Sequence, residues 1–253
     1  MGQIKIDAHV HIGKSEKMEK YFSFEQYYKV MRLHEINNAV VIPNVSSEVK
    51  EFQANTYFMN DFNELPEVIK ASLFPFLLMS PSLLCTRQAD YTEGIRGLKI
   101  HPSITRTAIN DKKWEDIFKI ASYRELPILV HCGRDPLSHI SYLIDASENN
   151  PGNIFIGAHL GGNASELINE ALILVEKANL DNLYLDTSAV KLPSLIDRAI
   201  KMIGAEKIIF GSDEPYNDLR VSLYIAELLL TKTEEGKELI MGLNMLRLLG
   251  EVT

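Results

Sequence analysis

Eight short runs of apolar, mostly β-branched residues divide the chain, and most of the segments between them repeat apolar residues at helical spacing. The predicted strands cover Ile4–Ile12, Asn38–Pro43, Ala71–Met79, Ile95–His101, Pro127–His131, Ile154–His159, Leu183–Thr187 and Lys207–Gly211. The predicted helices cover Phe24–Ile36, Trp114–Tyr123, Pro136–Ser147, Ala164–Ala178, Pro193–Met202, Leu219–Leu230 and Glu235–Leu249. Ser23 and Gln26 form a capping-box signature at the start of the first helix.

Strands that alternate with helices predict right-handed βαβ units and a parallel sheet. Eight repeats in 253 residues match the size of a closed (β/α)8 barrel, the TIM barrel. An open, doubly wound sheet is the alternative, but no Gly-x-Gly-x-x-Gly turn follows the first strand. Because no linker or low-complexity tract interrupts the pattern, we predict an α/β fold with one barrel domain over residues 1–253.

The net charge is −8, from 26 basic and 34 acidic residues, and no basic stripe is present. This charge argues against a nucleic-acid partner. Two cysteines, Cys85 and Cys132, are too few for a disulfide framework, and no secretory signal pattern precedes the first strand. The most apolar window falls short of a membrane span. We therefore expect a cytoplasmic protein that acts on a small molecule, with a homo-oligomer left open.

His9 and His11 stand two residues apart in the first predicted strand. Alternate side chains of a strand share a face, so both imidazoles project in the same direction. Both rings can then reach one metal ion through a ring nitrogen. A pair of this kind also occurs by chance on surfaces and in cores, so its meaning depends on the rest of the chain.

Five of the seven histidines lie in or at the ends of predicted strands: His9, His11, His101, His131 and His159. In a barrel the carboxyl ends of the strands converge on one mouth, which is where active sites are found. Asp213 follows the last predicted strand and adds an oxygen ligand; nitrogen and oxygen together suit zinc, iron or manganese. The other two histidines, His34 and His139, fall in predicted helices and are interpreted as structural.

The ordered set resembles the amidohydrolase superfamily of metal-dependent barrel enzymes. The resemblance rests on His9-x-His11, on His131 in Leu-Val-His-Cys-Gly, on His159 in Gly-Ala-His-Leu-Gly-Gly, and on Asp213 in Gly-Ser-Asp. The last two motifs are most similar to the amidohydrolase-2 branch, which contains aminocarboxymuconate-semialdehyde decarboxylase and related hydrolases. The barrel framework of this superfamily covers nearly the whole chain.

The resemblance implies a ligand set of His9, His11, His131 and Asp213 around one divalent ion, with Zn²⁺ preferred over Fe²⁺ or Mn²⁺. Such an ion lowers the pKa of water and so supplies hydroxide near neutral pH. By the same resemblance, Asp213 is the general acid and base, and His159 polarises a carbonyl or carries a proton.

Lys99 and His101 share one face of the fourth predicted strand. In relatives with two metals a carbamylated lysine near this point bridges the ions, so Lys99 could imply a second metal. The preferred alternative is an unmodified lysine that pairs with Asp213 or binds a substrate carboxylate. His101 is expected to line the same mouth, and Arg134 is a further candidate for substrate binding.

Three functions fit these residues. The first is a metal-dependent hydrolase that cleaves an amide, lactone or ester bond of a small molecule. The second is a metal-dependent decarboxylase of an unsaturated or aromatic acid, and the third is a metal-binding barrel without catalysis. The fold alone does not separate them.

Overall fold

The computed structural model describes residues 4–15, 20–44, 51–81, 94–230 and 234–251. Its strands are β1 (Ile6–Ser15), β2 (Lys20–Phe22), β3 (Asn38–Pro43), β4 (Leu73–Met79), β5 (Gly97–Ile100), β6 (Ile128–Val130), β7 (Phe155–Gly157), β8 (Leu183–Asp186) and β9 (Ile208–Ile209). Each of the eight predicted strands corresponds to one of these, and most observed strands are shorter than predicted. The α/β alternation predicted from the sequence is confirmed.

The strands form one sheet in the order β2-β1-β3-β4-β5-β6-β7-β8-β9. β1 pairs with β2 antiparallel, and every other neighbouring pair is parallel. The sheet curls, and two backbone hydrogen bonds show this. The amide of Ala8 in β1 donates to the Phe210 carbonyl just after β9 (3.0 Å), and the amide of His11 donates to the Glu214 carbonyl (2.7 Å). These bonds place the first parallel strand beside the segment that follows the last one.

The α-helices of the described residues are α1 (Phe24–Leu33), α2 (Glu51–Glu64), α3 (Glu67–Lys70), α4 (Pro102–Thr105), α5 (Glu115–Tyr123), α6 (Ile140–Asn149), α7 (Ser165–Ala178), α8 (Pro193–Ile203), α9 (Leu219–Leu230), α10 (Glu234–Glu238) and α11 (Asn244–Leu248). The predicted capping box is present, since the Ser23 hydroxyl accepts from the Gln26 amide and the Gln26 side chain accepts from the Ser23 amide.

Several elements differ from the prediction. β2 lies in a segment for which no strand was predicted, and α2 was not predicted at all. The last predicted helix is divided by a π-helical turn at Leu239–Leu243. His34 and His139 were predicted inside helices, but His34 follows α1 and His139 is the N-cap of α6. Cys85 lies outside the described residues.

The core has two parts, one on each face of the sheet. The larger cluster packs outward-facing strand residues against the helices, and the smaller one fills the opposite face with residues such as Phe76, Leu129 and Ile156. Gly97 lies in register with Phe76 in the neighbouring strand, and a Cβ at Gly97 would come within 2.2 Å of the Phe76 ring. The face of the sheet that carries the smaller cluster, here called the sheet interior, is therefore filled by side chains below the site. Among the described helices none is long and apolar enough to cross a membrane.

Candidate active site

The candidate site lies where the parallel strands end. Lys99 is in β5, and His101, His131, His159 and Asp213 follow β5, β6, β7 and β9 in that order. His9 and His11 lie within β1 instead of at its end, because the last residues of β1 continue into the hairpin with β2. The strand ends thus bring together side chains that are far apart in the sequence, as predicted.

Three of the four predicted metal ligands converge on one point. The Nε2 atoms of His9 and His11 are 3.2 Å apart, and Asp213 Oδ1 is 3.6 Å from the first and 3.3 Å from the second. Two ligand atoms bound tetrahedrally to zinc at 2.0–2.1 Å are separated by about 3.3 Å. The three atoms therefore have the spacing of ligands that share one face of a tetrahedral metal site.

The fourth predicted ligand, His131, stands nearby on another side of the site. Its Nδ1 lies 3.3 Å from His159 Nε2, and its ring stacks on that of His101 with centroids 3.9 Å apart and planes at 11°. The Nδ1 atom of His101 contacts the Ser103 hydroxyl at 3.0 Å. His131 does not join either group of converging ligand atoms found among the described residues.

Burial holds the imidazoles of His9, His11, His101 and His131 neutral. Burial lowers the pKa of His9 to about 4 and that of His101 to about 3, and it lowers the pKa of His11 and His131 as well. A metal ion binds neutral imidazole, so protons compete weakly with metal at these residues near neutral pH.

Burial raises the pKa of the Asp213 carboxyl, but the hydrogen bond with His11 and the nearby imidazoles outweigh it and hold that pKa below its usual range. Asp213 is therefore a carboxylate, and its Oδ2 accepts from the Asn217 side chain at 3.0 Å. Asp213 also has a left-handed backbone, with φ of 67°. This conformation turns the carboxylate back towards β1 from the loop after β9.

Lys99 is fully buried at the floor of the site, with its Nζ 3.0 Å from His9 Nε2. Burial lowers its pKa to about 8. The sequence left open a bridging role between two metals, a pairing of Lys99 with Asp213, and binding of a substrate carboxylate. The polar contact that the Lys99 amine makes is with His9 Nε2.

A cavity of about 390 Å³ opens above these residues. It is lined by His11, Lys99, His101, His131, His159 and Asp213, which sequence reasoning proposed for the site. Its further polar lining residues are Asn44, Asn163, Lys191, Tyr216 and Asn217. Arg134 is exposed and does not line this cavity. The loop positions that complete the lining carry no spacing pattern that sequence reasoning could have used, except that Asn44 directly follows β3.

Two buried carboxylates behind the site were missed. Asp186 ends β8 with its Oδ2 2.8 Å from His9 Nδ1. Asp7, two residues before His9, accepts from the Tyr27 hydroxyl, the Ser212 hydroxyl and the Ser212 amide. Both side chains are fully buried. The one sequence signal for Asp186 is its position at a strand end, which does not by itself indicate a role in the site.

A protein-family model described as amidohydrolase matches residues 6–250. The chain belongs to this amidohydrolase family. The amidohydrolase is therefore an enzyme, and its family supports a metal site built from histidine and aspartate. The resemblance inferred from the strand-end motifs is confirmed. The comparison with curated proteins finds no significant match.

Solved structures share the fold of this chain over almost its full length. An amidohydrolase from Burkholderia multivorans with bound zinc has a TM-score of 0.77 at 11% identity, covering 98% of this chain and 99% of its own. Dihydroxybenzoic acid decarboxylase from Polaromonas sp. JS666, with bound manganese and 2-nitroresorcinol, has a TM-score of 0.74 at 13% identity, covering 98% and 97%. A probable 2-pyrone-4,6-dicarboxylic acid hydrolase from Acinetobacter baumannii has a TM-score of 0.70 at 15% identity, covering 97% and 99%.

Proposed function

We propose that this amidohydrolase is a metal-dependent hydrolase that uses water to cleave an amide, lactone or ester bond of a small molecule. The observation that carries the proposal is the convergence of His9 Nε2, His11 Nε2 and Asp213 Oδ1 at the spacing of metal ligands. His11 and Asp213 also line the open cavity, so a substrate that enters it reaches the same point.

The proposed ligands are His9, His11, His131 and Asp213. When bound there, a divalent ion would lower the pKa of a water molecule towards neutrality. Zn²⁺ fits the nitrogen and oxygen donors, and Fe²⁺ and Mn²⁺ are alternatives. We propose one ion per chain, because the Lys99 amine contacts His9; a carbamylated Lys99 would instead support two.

Asp213 and His159 carry the proton chemistry in this proposal. The ionised Asp213 can accept a proton from water and pass it to a leaving group, while the Asn217 amide holds its other oxygen. His159 lies at the buried end of the cavity with Nε2 3.3 Å from His131 Nδ1. From there it can exchange a proton with the substrate or polarise its carbonyl group.

Lys99 and His101 are proposed to contact the substrate, since both line the cavity. Arg134 carries no part of the proposal. We further propose that the curled sheet is a closed (β/α)8 barrel formed by a single domain, supported by the bonds between β1 and the segment after β9. From the sequence alone we also propose a cytoplasmic location and a small-molecule substrate.

Decarboxylation is the second candidate. The chain shares its fold with dihydroxybenzoic acid decarboxylase from Polaromonas as fully as with the pyrone dicarboxylic acid hydrolase. Those two proteins are named for small cyclic carboxylic acids, one of which is decarboxylated and the other hydrolysed. The shared fold is therefore compatible with either reaction at this site.

Elemental analysis of the purified protein tests the metal first, and a stoichiometry near one divalent ion per chain is expected. Product analysis over a panel of small lactones, amides, esters and aromatic acids then separates the two reactions. New acid together with amine or alcohol supports hydrolysis. Release of CO₂ without addition of water would replace it with decarboxylation, and a protein without divalent metal would contradict both.

A further inference from the structure

Asp186 is buried behind His9, and both of its oxygens are occupied. Oδ2 lies 2.8 Å from His9 Nδ1. Oδ1 accepts from the His159 amide at 2.8 Å, from the Ser188 amide at 3.0 Å and from the Ser188 hydroxyl. One carboxylate therefore connects the first strand with the segments that follow β7 and β8.

These contacts determine where the proton of His9 lies. A carboxylate only accepts hydrogen bonds, so the His9 Nδ1 that faces Asp186 must carry the ring proton. The lone pair is then on Nε2, which is the atom that faces His11 and Asp213. Asp186 thus sets the tautomer in which His9 can bind a metal through Nε2.

His159 is constrained in the same way through Ser188. Its Nδ1 lies 3.1 Å from the Ser188 carbonyl oxygen, which only accepts, and 2.8 Å from the Ser188 hydroxyl, whose proton goes to Asp186. Nδ1 of His159 therefore carries the proton as well. In the neutral ring the lone pair is then on Nε2, which faces His131 and the cavity.

We propose that Asp186 is a positioning residue that holds His9 directly, and His159 through Ser188, in the Nδ1–H tautomer, so that both Nε2 lone pairs face the reaction site. The inference rests on the proposed function for the roles of the two histidines. It adds that one residue, Asp186, positions both of them. A change at Asp186 then affects the metal ligand and the proton-transfer residue together.

Direct binding of a metal by Asp186 is the competing interpretation, because ligand atoms of His9, His159 and Asp186 also lie within 4.8 Å of one another. The contacts favour positioning. Asp186 lies on the Nδ1 side of the His9 ring, whereas Nε2 of the same ring faces the other candidate ligands.

The backbone of His159 supports this role. His159 and Leu160 both have left-handed backbones, with φ of 60° and 51°. Residues other than glycine adopt this conformation only when their surroundings hold it. The bond from the His159 amide to Asp186 is one such restraint, so the carboxylate fixes the main chain of His159 as well as its ring.

Nitrogen-15 NMR of the imidazoles tests the inference in the wild-type protein, because the two ring nitrogens have different shifts in each tautomer. His9 and His159 are assigned by loss of their signals in the variants H9Q and H159Q. Both are expected as Nδ1–H in the metal-free protein. An Nε2–H tautomer at either residue would overturn the proposal, whether or not the protein binds a metal.

The variant D186N tests the consequence for metal affinity. The single side-chain oxygen left in this variant can accept a hydrogen bond from His9 Nδ1 or from the amides of His159 and Ser188, but it cannot replace both oxygens of Asp186. We expect Zn²⁺ affinity, measured by competition with a chelator, to fall by about 10–100-fold, as for other residues that support a ligand. The visible spectrum of the Co²⁺-loaded variant should also change, and kcat at saturating metal should fall with KM little changed.

D145N is the matched control, because Asp145 is a half-buried carboxylate on α6 that binds Asn110 away from the site. It should keep wild-type Zn²⁺ affinity and Co²⁺ spectrum. If D186N keeps them too, Asp186 is not a positioning residue. A wild-type protein that binds no divalent metal would contradict the proposed function instead, and the tautomer measurement would still decide the inference.

Discussion

The carboxylate of Asp7 receives both the amide and the hydroxyl of Ser212, at 2.8 and 2.6 Å. Asp7 belongs to β1, and Ser212 immediately precedes Asp213 in the loop after β9. One buried side chain therefore joins the strand that carries His9 and His11 to the loop that carries Asp213. Tyr27 of α1 adds a third bond to the same carboxylate at 2.8 Å.

The variant D7A should lower the free energy of unfolding by about 3 kcal/mol or more, because each buried donor left without an acceptor costs roughly 1–3 kcal/mol. The metal content should fall with it, since the loop that carries Asp213 loses the two bonds from Ser212 to β1 and keeps only its backbone bonds to that strand. Urea denaturation and elemental analysis measure the two effects.

Y27F provides the comparison for D7A. It removes one donor to Asp7 but keeps both bonds to Ser212, so we expect a loss of only about 1 kcal/mol and a normal metal content. Equal effects of D7A and Y27F on metal content would show that the link to Ser212 does not position Asp213.

The variant G97A should destabilise the protein by about 2 kcal/mol, because overfilling a packed core costs typically 1–3 kcal/mol. The added methyl group would meet the Phe76 ring at 2.2 Å. In an F76L background the same change should cost much less, since the smaller side chain leaves room. Equal costs in both backgrounds, measured by urea denaturation, would contradict the packing described for the sheet interior.

The variant H131A should lose the metal that the wild-type protein retains, if His131 completes the ligand set as proposed. H139A is the matched control, because His139 caps α6 away from the site and its loss leaves the ligands intact. Elemental analysis of both proteins after dialysis is the measurement. Full metal content in H131A would remove His131 from the ligand set.

The stability of the metal-free protein should fall as the pH drops below 6.5. The pKa of His101 is lowered from 6.5 to about 3, so between these values the unfolded chain binds a proton that the folded chain excludes. Unfolding then takes up protons, and each such histidine contributes up to about 1.4 kcal/mol per pH unit. His9, with its pKa lowered to about 4, acts in the same direction. Asp7 opposes them between 3.8 and 6, because burial raises its pKa to about 6.

Comparison with H101Q isolates one contribution to this pH dependence. The variant should show a shallower loss of stability between pH 6.5 and 4.5 in urea denaturation with a chelator present. Parallel pH profiles for the two proteins would mean that His101 is not held neutral in the fold.

The positions of the parallel strands could be predicted because strands buried on both faces are continuous apolar runs, as in Asn38–Pro43 and Leu183–Asp186. β2 could not be found in this way, since it has three residues and, among the strands that the structure describes, pairs only with the end of β1. α2 was overlooked although Ala54, Phe58 and Phe62 face the core at helical spacing, because several asparagines interrupt the apolar pattern.

The convergence of His9, His11 and Asp213 could be predicted because the two histidines share a strand face and because strand ends meet in space. The supporting residues could not. Asp186 acquires its role only through His9, which lies far away in the sequence, and a single aspartate at a strand end also fits a helix cap or a turn. Asp7 is ambiguous for the same reason, since its partner Ser212 is brought to it only by the curl of the sheet.

The origin of the proposed ligands in separate strands also affects how the protein is made. His9 and His11 are synthesised about 200 residues before Asp213, so a growing chain holds two imidazoles long before the carboxylate that completes the group. Tight metal capture requires the last strand to have reached the first, because a site of this kind does not exist in an unfolded chain. Possession of the metal would therefore distinguish finished molecules from partly folded ones during synthesis.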